Sequence, residues 1–150
     1  MTDREFELTL MKRRTPERIE KLPAACRLLW PEPISWDAKN MEFTASFTIT
    51  EDMGNPVGWL HGGVMATMLD NGMGTLASIF TDGCMVPTVS LNINYLRPAP
   101  LEGKVIMKAS ILKPGHNLIN TTALLYWETL ENKPFASANA VYSVLRDVKV

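Results

Sequence analysis

The sequence predicts an α+β protein in which a curled antiparallel sheet of about five to six strands wraps one long helix. Three observations predict it. First, GNPVGWLHGGVMATMLDNGMGTLASIF, from Gly54 to Phe80, has no proline from Gly62 until Pro87, and Val64, Met65, Met68, Leu69, Met73, Leu76, Ile79 and Phe80 recur at helical spacing. Second, two-residue alternation flanks this stretch, with Met41, Phe43, Ala45, Phe47 and Ile49 before it and Val89, Leu91, Ile93 and Tyr95 after it. Third, the later strands are joined mostly by short connections, which favour antiparallel neighbours. A helix apolar nearly all round has to be covered on most sides, so the sheet curls around it.

Taken in order, residues from about Thr2 to Arg14 read as a helix. Thr15-Pro16 reads as an N-cap with proline at the first helical position, opening a second helix to about Lys21. Lys12, Arg13, Arg14, Arg18 and Lys21 form a basic cluster, expected to be a solvated helix face rather than an anion site. Pro23, Pro31 and Pro33 interrupt the chain after this second helix, with a short strand at Ile34-Ser35-Trp36 and a turn at Asp37–Asn40. The alternating strand from Met41 leads into the long helix, whose Gly72 and Gly74 each cost about 1 kcal/mol relative to alanine. Close approach of another backbone is the expected compensation. Strands then follow from Thr88, from Lys104 to about Lys113, from Asn117 to about Trp127 and from Phe135 to about Leu145. Pro98 and Pro100, Pro114-Gly115 and Glu131–Pro134 punctuate them. Ala136, Ala138 and Ala140 share a face with Tyr142 and Val144, which lets a helix lie close on that strand.

Composition narrows the function. The 150 residues suit a single domain, 1–150, with residues 1–27 as a helical N-terminal extension. Hydrophobic residues at 46% and charged residues at 21% are those of a soluble globular protein. Sixteen acidic against fifteen basic residues leave no electrostatic footprint for nucleic acid or an anionic membrane. Two histidines without a matching ligand cluster argue against a metal site. Cys26 and Cys84 lack CxxC spacing and read as free thiols in a reducing compartment. MTDREFELTLMKRR does not read as a secretory signal, and Val64–Phe80 is too short and too interrupted to span a bilayer. A cytoplasmic protein is expected.

The long helix carries one feature that its packing does not explain. Thr67, Asp70, Asn71, Gly74 and Ser78 step by three and four residues into a single polar or small stripe. Asp70 is the one acidic or basic side chain between Asp52 and Asp82 (histidine aside). A carboxylate in a buried helix needs partners or a task. At the helix start, unpaired N–H groups and the positive dipole end suit an oxygen that gains charge during reaction. Glycine there permits close approach.

Asn55, Gly58, His61-Gly62-Gly63, Leu69-Asp70 and TVSLNINYLRPA from Thr88 together resemble the hotdog-fold acyl-CoA thioesterases. The nearer resemblance is to the branch of the phenylacetate-pathway thioesterase and the human thioesterase-superfamily enzymes, and it runs from about Leu28 to Leu145. HGG alone is a weak signal; HGG with Asn six residues before its histidine and Asp nine after it is fairly specific. The resemblance implies a helix wrapped by an antiparallel sheet, with two protomers pairing edge to edge as a homodimer or a dimer of dimers. It further implies hydrolysis of an acyl-CoA substrate without a cofactor. The Gly62 N–H and Asn55 would polarise the thioester carbonyl, Asp70 would serve as general base or nucleophile, and Thr88 would supply a nearby hydroxyl. His61, Gly63 and Asn71 would bind substrate, although His61 also reads as a plain helix cap and Asn55 before Pro56 as turn chemistry.

Geometry adds to the resemblance. Asp70 lies eight residues past Gly62, about 12 Å along a helix axis, while donor and base both belong about 3 Å from the reacting atoms. Two antiparallel helices related by a two-fold axis meet that requirement, each giving its N-terminus to one site and its Asp70 to the other. The departures are His116, where relatives often carry a basic residue after the turn glycine, and threonine in place of serine at 88. Met65, Met68, Met73 and Met107 read as core, with an acyl-pocket lining as the alternative. A hotdog hydratase is disfavoured, because Asp52 and Asn55-Pro56 are followed by Gly58 where its signature requires histidine. The remaining rival is a module that binds acyl-CoA without cleaving it.

Overall fold

The computed structural model describes residues 2–129 and 133–149. Helices α1 (Asp3–Arg13), α2 (Pro16–Glu20) and α3 (Ala24–Leu28) precede strands β1 (Glu32–Asp37) and β2 (Glu42–Thr48). A 3-10 turn at Glu51–Met53 leads to α4 (Gly62–Phe80). Strands β3 (Cys84–Met85), β4 (Thr88–Tyr95), β5 (Lys104–Pro114), β6 (Leu118–Trp127), β7 (Ala136–Ser143) and β8 (Leu145–Lys149) complete the order. Among the described residues six antiparallel strands form one sheet in the order β1-β2-β5-β6-β7-β4, and β3 pairs with β8 separately. Helix α4 packs against β2, β4, β5, β6 and β7. A sheet of six strands, five of which reach one cylinder, has to curl, which is the hotdog arrangement.

Helix α4 has the expected bounds because its apolar face is continuous. Met68, Leu69, Met73, Leu76, Ala77 and Ile79 are fully buried, and burying a side chain the size of leucine stabilises by about 1.5–3 kcal/mol. The alanines of β7 also behave as expected: Ala136, Ala138 and Ala140 are buried and Tyr142 sits on the same face. The glycines of α4 do not meet another backbone, however. A Cβ at Gly72 would strike the end of the Met107 side chain, and one at Gly74 would meet the Tyr142 ring at 3.4 Å. Large side chains from β5 and β7 use the space instead.

The N-terminal helices differ from expectation in one respect that matters for the site. Helix α1 starts at a capping box in which Thr2 and Glu5 bond each other's backbone N–H groups. Phe6 packs into the core and stacks on Trp36 with ring centroids 4.1 Å apart. That docking turns part of the basic cluster inward. Arg13 Nη1 donates to Ser78 Oγ at 2.7 Å, and Arg14 donates to the Pro31 carbonyl. Lys12, Arg18 and Lys21 are exposed as expected. Helix α3, β3 and β8 have no counterpart in the elements expected from the sequence; all three are short and take their stability from neighbours rather than from periodicity.

Strand β4 forms where the alternation from Thr88 predicts a strand, and it lies at the sheet edge with Val89 60% and Tyr95 52% exposed. It pairs with β7 although β5 follows it in the chain, since β5 is already held between β2 and β6. Asp37–Asn40 turns as expected, with the Asp37 carboxylate accepting from the Asn40 backbone and side chain. Glu131 and Asn132 of the expected Glu131–Pro134 turn lie outside the described residues. Among the described residues no helix is long and apolar enough to cross a membrane.

Candidate active site

The loop before α4 is held by Asn55. Its Oδ1 accepts from Val57 N at 3.1 Å and Trp59 N at 3.0 Å, and its own N–H donates to the Trp59 carbonyl at 2.7 Å. Gly58 completes the turn at φ +82°, a conformation that costs glycine least. Turn chemistry therefore occupies the side-chain carbonyl of Asn55 and leaves the two N–H donors of its amide. His61 is the N-cap of α4, its Nδ1 accepting from Gly63 N at 2.9 Å. The His61 carbonyl takes the N–H groups of Val64 and Met65. Among the described residues the Gly62 N–H has no hydrogen-bond partner. It is the open donor of the helix end, in a cavity of about 430 Å³ that Asn55, Trp59, Met65, Tyr95 and Arg97 also line. Tyr95 secures this end by donating its hydroxyl to the Gly62 carbonyl at 2.9 Å.

Two turns further along, Asp70 is half-buried rather than enclosed, because the polar stripe of α4 faces an open cavity and not the core. Asp70 Oδ1 accepts from Thr88 Oγ1 at 2.8 Å and from the Tyr142 hydroxyl at 3.1 Å. The same Tyr142 hydroxyl also lies 3.1 Å from the Asp70 carbonyl oxygen. Burial raises the Tyr142 phenol above its ordinary range, and the Asp70 charge and hydrogen bond raise it further, which keeps it a donor at neutral pH. Oδ2 has no partner among the described residues. Two neutral donors thus fix one oxygen of the carboxylate and leave the other available for a proton or for attack. Asn71, beside it, donates Nδ2 to the Leu29 carbonyl at 3.0 Å and ties α4 to the segment after α3.

The candidate residues therefore fall into two separate cavities. Gly62 and Asn55 line one cavity; Asp70, Asn71 and Thr88 line another, of about 210 Å³. His61 and Gly63 are exposed, line neither cavity and engage each other. Met68, Met73 and Met107 are plain core, and Met65 alone of the four methionines lines one of these two cavities. Sequence reasoning missed four contributors: Tyr142 and Tyr95, which hold Asp70 and Gly62, and Arg13 and Trp30, which wall the Asp70 cavity. Tyr142 left one usable signal, a large phenol ending a row of alanines on a buried face. Arg13 left none, because its register toward Ser78 is set by the docking of α1.

A sequence model described as Thioesterase superfamily matches residues 57–131, half of the chain, including α4 and the Asp70 position. The chain belongs to the thioesterase superfamily. Among curated members, acyl-coenzyme A thioesterase 13 of Homo sapiens is 37% identical over 75 residues, which cover 49% of this chain and 53% of the relative. Acyl-coenzyme A thioesterase THEM4 of Bos taurus is 43% identical over 56 residues, 37% of this chain and 22% of the relative. The aligned part of the chain thus spans about half the length, or less, of the curated relatives it matches. A putative thioesterase from Ralstonia eutropha, described as phenylacetic acid degradation-related, superposes with a TM-score of 0.77 at 26% identity and covers 93% of this chain and 99% of that one. The PaaI protein of the E. coli phenylacetic acid degradation operon superposes with a TM-score of 0.78 over 97% of this chain and 96% of its own. At 15% identity it shares the fold.

Proposed function

We propose that this superfamily member hydrolyses acyl-CoA thioesters, and that Asp70 carries the chemical step. One observation carries the reading: a carboxylate that lines a cavity and is held through Oδ1 by Thr88 and Tyr142, with no partner on Oδ2 among the described residues. As general base, Oδ2 takes a proton from water while the water oxygen attacks the thioester carbon. The C–S bond then breaks and CoA leaves as the thiol once protonated. As nucleophile, the same oxygen attacks the carbon directly, the C–S bond breaks as CoA leaves, and water then cleaves the resulting anhydride to the free acid and the regenerated carboxylate. On either route negative charge grows on the carbonyl oxygen. The unpartnered Gly62 N–H and the Asn55 amide are the donors suited to it. No metal or cofactor takes part in this scheme. The curated relatives bear acyl-coenzyme A thioesterase names, which supports acyl-CoA as the substrate class. Mixing the protein with a panel of aryl-, short- and medium-chain acyl-CoA esters is expected to release thiol with at least one. Tight acyl-CoA binding without thiol release across the panel would make it a binding module instead.

The site is shared between two copies on this reading. The roughly 12 Å axial offset between Gly62 and Asp70 and their separate cavities support that assignment. Strand β4 supports the pairing surface: it is an eight-residue edge with Val89 and Tyr95 exposed, followed by the exposed Leu96, and such edges are normally covered or paired. Light scattering in dilute solution is expected to give at least twice 16.8 kDa. An active monomer would rule out the shared site. Assembly into a dimer of dimers is compatible with this scheme. Cys26 and Cys84 are both free thiols, which supports a reducing compartment and a cytoplasmic location.

A further inference from the structure

Arg13 is a half-buried cation without a counter-ion among the described residues. Its Nη1 donates to Ser78 Oγ, and Ser78, itself 3% exposed, donates onward to the Cys84 carbonyl at 2.6 Å. That hydroxyl fixes the guanidinium in place but does not neutralise it. A guanidinium has five N–H donors and does not lose its charge in proteins, and among the described residues no carboxylate pairs with this one. Burial and the neighbouring Arg18 both push its pKa below the ordinary range. A cation drawn out of water without an anion is costly, so the arrangement is explained more readily if an anion visits it.

The location says which anion. Arg13 and Asp70 line the same cavity of about 210 Å³, with Trp30, Gly74, Thr75 and Tyr142 between or around them. Ser78, which holds Arg13, lies eight residues beyond Asp70, about 12 Å along α4. Taking that offset as the scale of the gap between guanidinium and carboxylate, contacts of about 3 Å at each end leave roughly 6 Å. That is about five bonds of an extended chain at about 1.25 Å each, from the 3.8 Å spacing across three bonds. Where Arg13 and Ser78 line the cavity it is polar, and that part does not suit a methyl group.

We propose that Arg13, positioned by Ser78, is a specificity determinant for acyl groups ending in a carboxylate, that is, short ω-carboxyacyl thioesters of about five carbons. The proposal rests on Asp70 marking the reacting carbon, as in the function proposed above. The thioester carbon sits at Asp70, the chain lies along Gly74 and Thr75, and the distal carboxylate takes the free donors of Arg13. A charge-assisted pair in a partly desolvated site is strong and geometrically selective.

The test compares glutaryl-CoA with pentanoyl-CoA, which share a chain length and differ in the distal group. The parent is expected to favour glutaryl-CoA at least tenfold in kcat/KM. Arg13→Met should lower the glutaryl-to-pentanoyl ratio by about 10–100-fold, and Arg13→Lys should restore part of it. Affinity of the Asp70→Asn protein for the two esters gives the same preference without turnover. A parent that binds and turns over pentanoyl-CoA as well as glutaryl-CoA overturns the proposal, whether or not the Arg13 variants fold. If Arg13→Met weakens free CoA as much as glutaryl-CoA, Arg13 contacts the carrier and the proposal is equally wrong. Preferential glutaryl-CoA binding with no thiol release from either ester would instead count against the hydrolase reading and leave the pocket assignment standing.

Discussion

Asp70→Asn is expected to remove about 10²–10⁴ from kcat, the usual scale for loss of a positioned base. That corresponds to about 3–5 kcal/mol of barrier. The substitution separates chemistry from structure unusually well here. Thr88 Oγ1 and the Tyr142 hydroxyl both donate to Oδ1, and an asparagine carbonyl can accept both bonds. Asn71, Gly74 and the β7 alanines remain untouched, so the thermal midpoint should stay near that of the parent. What asparagine cannot do is take a proton or attack through its second position. A variant that keeps turnover within a few-fold of the parent would show that Asp70 is only a structural acceptor for Thr88 and Tyr142.

Recovery of about a quarter of parental activity is expected when two inactive variants are refolded together. One is Asp70→Asn. The other is Asn55→Asp, chosen because the Asn55 carbonyl accepts from Val57 and Trp59 and holds the loop. Aspartate retains that acceptor, loses the amide donors and places a negative charge near the oxygen that must be stabilised. If each site takes Asn55 and Gly62 from one chain and Asp70 from the other, a mixed dimer collects both lesions in one site and has none in the other. Random pairing makes half the dimers mixed, and each carries one intact site of two. Sites built within one chain would each hold one lesion, and mixing would restore nothing. Failure to recover activity, with mixed dimers demonstrated by differently tagged chains, would falsify the shared-site assignment.

Periodicity alone located the long helix, and the helix observed runs over Gly62–Phe80 as that periodicity indicates. It also located the strands that became β2, β4, β5, β6 and β7, because regular alternation survives wherever one face is buried. The spacing of Asn55, His61-Gly62-Gly63 and Asp70 marked the candidate residues and gave the axial offset between Gly62 and Asp70, which comes directly from helical rise. Other features depended on contacts distant in the chain and left no local trace. The alternation of β4 is the same at an edge as in a sheet interior, and the pairing of β5 with β2 and β6 decided that β4 is an edge. Gly72 and Gly74 were expected to face another backbone, but packing puts the side chains of Met107 and Tyr142 there instead. Asp70 was legible as a carboxylate in search of partners. That Thr88 and Tyr142 bind one oxygen and leave the other open was decided by the register of β4 and β7 against α4. Arg13 marks the limit most clearly. By composition it belongs to a solvated basic cluster, and only the docking of α1 through Phe6 and Leu10 turns its guanidinium onto Ser78 and into the Asp70 cavity. A charge run records how many cations a helix carries, whereas the packing of the helix decides which of them leave water.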